Sequence, residues 1–141
     1  MTEPQRRTIV YTLPSETPPP ASRAETRAGR LPRIARLMAL AIRFDQLLRI
    51  GTVKDYADLA HLGRVSRARI TQIMNLLNLA PDIQESLLFL APVRSWRDAL
   101  HERAVREVVE EISWARQRKI FAGLLSRQSR VERKSDDESE R

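Results

Sequence analysis

Between residues 31 and 125, apolar residues recur every three or four positions along the chain. This spacing places them on one face of a helix, whereas a half-buried strand would alternate apolar and polar residues. No segment there combines such alternation with β-branched residues. The pattern therefore predicts an all-α fold, with helices at about 32–50, 53–61, 67–78 and 82–90 and one or two more between 95 and 125.

The two ends of the chain differ from its middle in composition. Residues 1–30 hold five of the eight prolines, together with many Ser, Thr, Arg and Glu residues, and residues 127–141 are charged and Ser-rich. Such segments bury too little apolar surface to fold alone. The sequence therefore predicts a disordered proline-rich arm over 1–30 and a charged, disordered tail over 127–141.

Composition also excludes several classes of site. The chain has no cysteine and only two histidines, which rules out disulfides, thiolate metal ligands and a cysteine nucleophile. It also lacks a glycine-rich phosphate loop and a nucleophile motif, so we expect no enzyme activity, cofactor or metal. No apolar run approaches the ~20 residues of a spanning helix, and the first ten residues carry no apolar signal core. We therefore expect a cytoplasmic protein without a membrane contact.

The positive charge of the chain is concentrated in its middle. The net charge is +7, and residues 31–80 hold eight basic residues against three acidic ones. No acidic residue occurs between Asp58 and Asp82, where Arg64, Arg67 and Arg69 lie. A solvated surface usually mixes both signs, so this stretch favours a polyanionic partner.

Two of the predicted helices are joined by a tight turn over residues 62–65. Ser66 is the predicted N-cap of the second helix, and Val65 with Ile70 matches a hydrophobic staple at the same boundary. A short helix, a tight turn and a second capped helix are typical of the helix-turn-helix motif, whose second helix enters the major groove of DNA. We expect a helix-turn-helix DNA-binding domain over 31–91, followed by a helical extension over 92–126.

The outward face of the predicted second helix has a composition suited to reading DNA. It carries small, hydroxyl and amide side chains, and the helix has no carboxylate. Gln and Asn pair with adenine, Arg pairs with guanine, and a Thr methyl contacts a thymine methyl. The predicted base-reading residues are Arg67, Thr71, Gln72 and Asn75, with Ser66 and Ala68 beside them, and the predicted phosphate contacts are Lys54, Arg64 and Arg69, joined by Arg43 and Arg49.

An alternative interpretation is a helical adaptor that binds a protein partner and does not read DNA. The carboxylate-free stretch from 59 to 81 favours DNA over this alternative. Residues 95–125 have nearly balanced charge and contain apolar clusters. They are the predicted surface for a homodimer or another protein partner.

The run from Leu59 to Leu90 resembles the helix-turn-helix segment of ParB-type partition proteins. The likeness is strongest at Gly63, Ser66, Arg67 and Ile70, and it continues through the run LLNLAPDIQ. The chain is also similar, over about 31–125, to small proteins of mobile elements that accompany site-specific recombinases. The resemblance implies operator-like DNA binding by a factor that regulates transcription or recombination, through Ser66, Arg67, Arg69, Thr71 and Gln72.

The chain departs from the ParB pattern in two ways. Nothing in it matches the nucleotide-binding domain with its GERRxR-type motif, so nucleotide hydrolysis and sliding on DNA are not implied. Many helix-turn-helix units also have Gly one position after Gly63, where this chain has Arg64. Either the turn is shifted, or Arg64 adopts a left-handed conformation at some energetic cost.

Overall fold

The computed structural model describes residues 29–93, 98 and 100–139. Residues 1–28 of the predicted 1–30 arm therefore lie outside the described residues. The described chain is α-helical apart from its connections and one isolated antiparallel bridge, which confirms the all-α prediction. The elements are α1 (Arg33–Arg49), α2 (Tyr56–Gly63), α3 (Arg67–Met74), a 3₁₀ helix (Asn75–Asn78), α4 (Pro81–Leu88), α5 (Glu102–Glu110) and α6 (Trp114–Ser139).

Helix α2 begins three residues later than predicted. Asp55 has extended backbone angles, and its side chain accepts hydrogen bonds from the N–H groups of Ala57 (2.8 Å) and Asp58 (3.0 Å). Such a carboxylate satisfies the unpaired donors at a helix N-terminus. Val53 precedes this cap and is buried in the core, with 4% of its surface exposed. The predicted start near residue 53 was wrong because Asp55 is the capping residue.

Two hydrophobic clusters form the core. The larger joins α1, Ile73 of α3, the 3₁₀ helix, α4, α5 and α6, and the smaller joins the loop after α1 with α2 and the rest of the inner side of α3. Phe44 and Leu77 pack against both clusters. Because full burial of one large aliphatic side chain contributes about 1.5–3 kcal/mol, α3 is held firmly from its inner side. The largest fully buried apolar side chains are Ile34, Met38, Leu79, Ile83, Leu87, Val105 and Val108 in the larger cluster and Leu59 and Ile70 in the smaller.

A buried glutamine connects three parts of the chain. Gln117 in α6 is only 1% exposed. Its Oε1 accepts the N–H of Ala80 at 2.8 Å, and its Nε2 donates to the carbonyl oxygens of Asn78 (3.2 Å) and Glu111 (2.7 Å). These backbone groups belong to the connections before α4 and before α6. One side chain therefore satisfies three backbone groups that regular helices leave unpaired.

Residues 29 and 30, which the prediction assigned to the arm, contact the rest of the fold. The backbone groups of Arg30 and Val93 exchange two hydrogen bonds, of 2.9 and 2.8 Å. Gly29 has φ +81°, and a Cβ atom there would lie 3.1 Å from the carbonyl oxygen of Val93. Asp98 adds a salt bridge to Arg30 (2.7 Å) and accepts the N–H of Arg33 (3.0 Å). Residues 29 and 30 are thus part of the fold, which corrects the predicted boundary.

Helix α6 continues into the predicted tail as far as Ser139. Hydrogen bonds follow the helix there, from Ser129 Oγ to the carbonyl of Leu125 (3.1 Å) and from Arg133 Nε to the carbonyl of Ser129 (3.1 Å). Val131 remains 67% exposed. Arg, Gln, Glu and Lys favour helix, and extending an existing helix avoids the cost of nucleation. A charged and exposed segment can therefore be helical when it extends a helix beyond the core.

We expect Gln117→Met to destabilise the protein by about 2–4 kcal/mol. Methionine fills a similar volume but leaves one N–H and two carbonyl groups without a partner, and each unsatisfied buried group costs about 1–3 kcal/mol, partly offset by relaxation. Denaturant unfolding measures the effect. The control is Gln46→Met, an exposed position on α1, which is expected to change stability by less than about 0.5 kcal/mol. Equal unfolding midpoints for the two variants would contradict this account.

Candidate nucleic-acid interface

Three residues, Arg64 to Ser66, connect α2 to α3. The N–H of Val65 donates to the carbonyl of Ala60 (3.1 Å), and the N–H of Arg64 donates to that of His61 (3.3 Å). These two bonds are the pattern of a Schellman motif, in which glycine usually occupies the left-handed position. Arg64 occupies it here, with φ 51° and ψ 41°. Of the two alternatives left open by the sequence, the left-handed Arg64 is the one observed.

The start of α3 agrees with the prediction. Ser66 Oγ accepts the N–H of Arg69 at 3.1 Å, so Ser66 is the N-cap. Ile70 is completely buried, but Val65 keeps 42% of its surface exposed. The Ser66 cap therefore defines this boundary more than the apolar staple does.

The outer side of α3 is exposed as the sequence predicted. Its inner stripe of Ile70, Ile73 and Met74 is buried. The α-helix ends at Met74, and residues 75–78 form a 3₁₀ helix rather than the predicted last α-helical turn. The exposed residues on and beside this face are Arg64, Ser66, Arg67, Ala68, Thr71, Gln72 and Asn75.

Arg69 differs from its predicted role as a phosphate contact. Its Nη1 and Nη2 donate to the two carboxylate oxygens of Glu102, at 2.5 and 3.1 Å. The side chains of Arg69 and Glu102 are only 23% and 16% exposed. The ion pair joins α3 to the first residue of α5. Sequence reasoning missed it because Glu102 lies 33 positions away and no local pattern links the two residues.

Glu102 also lies close to two other arginines. Arg106 Nη2 is 3.3 Å from Glu102 Oε1, and Arg33 Nε is 3.9 Å from Oε2. The hydrogen bond from Arg69 lowers the pKa of Glu102, burial opposes that shift, and Arg106 adds to it. The same bond raises the pKa of Arg69. Three guanidinium groups thus surround one carboxylate, and this arginine cluster keeps a net positive charge beside α3.

Gln72 is connected to this cluster through Arg69. Arg69 Nη1 donates to Gln72 Oε1 at 3.2 Å. Thr71, the neighbouring predicted reader, donates its hydroxyl to the carbonyl of Arg67 at 3.1 Å. The Gln72 amide is therefore oriented by a charged neighbour, while the Thr71 hydroxyl is satisfied within its own helix.

The predicted phosphate contacts lie in different settings. Lys54 and Arg64 are exposed in the loop before α2 and in the turn after it, and Arg43 is exposed on α1. Arg64 also lines a shallow depression with Ala57, Ala60, His61 and Val65. Arg49 is paired with Asp45 at 2.6 Å. Lys54, Arg64 and Arg67 thus remain the exposed cations nearest in sequence to the face of α3.

In the described part of the chain, no three His, Cys, Asp or Glu side chains are grouped so that they could hold a metal ion. None of the helices described there has the length and apolar character needed to cross a membrane.

No protein-family model matches the chain, and neither a curated protein nor a solved structure does. The resemblance to ParB-type segments therefore stays an expectation from the sequence.

We expect Arg64→Gly to stabilise the protein by about 0.5–1 kcal/mol. Glycine avoids the left-handed strain of about 1–2 kcal/mol, although it loses more backbone entropy on folding. Arg64→Ala is the control, because it removes the same charge and keeps the Cβ atom. Thermal and denaturant unfolding compare the two variants. Identical stabilities would show that Arg64 carries no backbone strain.

We expect the stability difference between the parent and Glu102→Gln to depend on pH. The folded pKa of Glu102 is lowered, so its contribution is complete above the unfolded value of about 4.3 and is lost as pH falls through the folded value. At pH 7 we expect the parent to be more stable by about 1 kcal/mol, a value reduced by solvent screening. Urea unfolding between pH 7 and pH 3 measures it. A difference that grows as pH falls would contradict the ion pair.

Proposed function

We propose that this protein binds duplex DNA sequence-specifically, with α2, the turn and α3 acting as a helix-turn-helix. The observation that carries the proposal is the outer face of α3. This face exposes small, hydroxyl, amide and guanidinium side chains and no carboxylate. An ordinary solvated helix would show acidic and basic residues together. Small and amide side chains instead suit close approach to base edges in the major groove.

The support of α3 fits this function. A recognition helix has to hold its side chains in a fixed register, since base readout depends on the geometry of single hydrogen bonds. Ile70, Ile73 and Met74 anchor the inner side of α3 in the core, and the pair of Arg69 with Glu102 ties it to α5. A rigid helix with an exposed polar face results.

The proposed roles follow from exposure and position. Arg67, Thr71, Gln72 and Asn75 lie on the exposed face and contact base edges. Lys54 and Arg64 lie outside the helix, and their charges suit phosphates, which position a protein on DNA without reading its sequence. Ser66 and Ala68 lie at the start of the face, where a small side chain permits close approach.

The biological setting is proposed from the sequence resemblance. ParB-like segments and the small proteins of mobile elements suggest an accessory or regulatory factor that acts in the cytoplasm on transcription or DNA recombination. The binding chemistry above does not depend on this setting. The two parts of the proposal are therefore testable separately.

A second candidate function is supported by apolar exposure away from α3. Ile112 is 95% exposed and Trp114 is 50% exposed at the junction of α5 and α6, and Ile120 is 40% exposed six residues further along α6. Exposed aromatic and aliphatic side chains of this kind are enriched in protein interfaces. They favour a homodimer or recombinase contact within the predicted 95–125 surface, either alongside DNA binding or, in an adaptor, instead of it.

Selection of bound sequences from a random duplex pool tests the proposal, followed by titration of variants at two salt concentrations. Gln72→Ala removes a base contact and should cost about 1–3 kcal/mol on the selected site and little on random duplex. Arg64→Ala removes a phosphate contact, so it should weaken both duplexes and reduce the salt slope by about one unit.

Arg130→Ala is the charge-matched control, since Arg130 is exposed near the end of α6. It should leave the ratio of selected to random affinity unchanged. If the parent shows no sequence preference, the DNA-reading proposal is wrong and the adaptor becomes the better interpretation. If the parent shows a preference and Gln72→Ala retains it fully, the assignment of α3 as the recognition helix is wrong.

A further inference from the structure

We propose that the pair of Arg69 with Glu102 orients the Gln72 amide so that Gln72 selects guanine, rather than the adenine that glutamine commonly reads. This inference rests on the proposed DNA binding and adds the base that one position of the site should contain. It also gives Arg69 the role of a positioning residue.

Glu102 holds the guanidinium of Arg69 in one plane. Each carboxylate oxygen binds a different terminal nitrogen of Arg69, at 2.5 and 3.1 Å. A two-point contact of this kind fixes direction as well as distance. Arg69 is only 23% exposed, so its packing limits other rotamers. Glu102 thus sets the position from which Arg69 contacts its next neighbour.

Arg69 in turn fixes which side of the Gln72 amide faces it. The distance from Arg69 Nη1 to Gln72 Oε1 is 3.2 Å. Arginine has only donors, so the amide atom opposite it has to be the oxygen. Gln72 then has the two N–H donors of Nε2 left for a base.

This orientation distinguishes the two purines. Guanine presents two acceptors in the major groove, N7 and O6, whereas adenine presents the N7 acceptor and the N6 amino donor. A two-point contact with adenine requires the amide oxygen to accept from N6. In this protein that oxygen already accepts one hydrogen bond from Arg69, and an adenine amino group that used its second lone pair would approach the positively charged guanidinium. Guanine instead offers two acceptors to the remaining N–H donors of Gln72 Nε2. Its O6 atom is also attracted by the positive charge of the Arg69 guanidinium.

The surroundings allow Glu102 to lie near DNA. A lone carboxylate would repel the phosphate backbone. Arg106 at 3.3 Å and Arg33 at 3.9 Å join Arg69 around it, so the arginine cluster carries more positive than negative charge. The acidic residue therefore positions Arg69 without making this end of the surface negative.

The experiment uses the full chain and the selected duplex. The base position that Gln72 reads is the one at which Gln72→Ala no longer discriminates between base pairs. Four duplexes are then compared, each with a different base pair at that position. The parent should bind the guanine duplex at least about fivefold more tightly than the adenine duplex, the lower end of discrimination by a two-point base contact. Arg69→Met removes the donor to Gln72, so this ratio should fall to about one or favour adenine.

A double variant guards against loss of folding. Arg69→Met combined with Glu102→Met replaces the whole ion pair by apolar side chains, an exchange that commonly preserves stability. It should show the same loss of guanine preference. The matched control is Arg118→Met, which breaks the ion pair of Arg118 with Asp82 (2.9 Å) between α6 and α4. This ion pair does not involve Gln72. The guanine ratio should be unchanged in this control.

The outcomes separate this inference from the proposed function. If the parent prefers adenine at that position, the positioning role is overturned while DNA reading stands. The same follows if Arg69→Met and the double variant of Arg69→Met with Glu102→Met both keep the guanine ratio. If the parent binds all duplexes alike, the proposed function and this inference fail together. A purely structural role for Arg69 would lower all four affinities by the same factor, and this result also overturns the inference.

Discussion

The ion pair between Arg69 and Glu102 determines how the exposed face of α3 is presented. It joins α3 to α5 across 33 positions of the chain, and the hydrophobic clusters anchor only the opposite side of α3. Without the carboxylate, Arg69 would be one more surface cation in a basic stretch. With the carboxylate in place, Arg69 is held by Glu102 and donates a hydrogen bond to Gln72. Arg69 therefore contributes positive charge beside the exposed face and also connects α3 to α5.

The architecture separates two kinds of surface. The α2–α3 pair has polar and basic side chains outside and a small apolar cluster inside. The junction of α5 and α6 instead exposes Ile112 and Trp114, which suit a protein contact. Gln117 lies beneath this junction and binds the backbone before α4. A partner bound there would consequently touch elements that share a core with α3.

Local signals in the sequence predicted local features of the fold well. The Ser66 cap and the buried stripe through Ile70 each depend on residues within a few positions, and the structure contains both. Features that depend on distant residues were not predictable in this way: Glu102 and Gln117 find their partners only after the helices pack. The continuation of α6 past residue 127 was not predicted. The charged, Ser-rich composition of this segment indicates solvent exposure but does not determine whether its backbone is helical. DNA reading itself remains a prediction.

Nuclear magnetic resonance titration with the selected duplex tests the central claim most directly. The account predicts that the largest shifts of backbone amides occur from Arg64 to Asn75, with a marked shift of the Gln72 side-chain amide protons. The amides of α6 beyond residue 127 should change little. Shifts confined to residues around Ile112 and Trp114, with α3 unaffected, would contradict the claim that α3 is the surface that reads DNA.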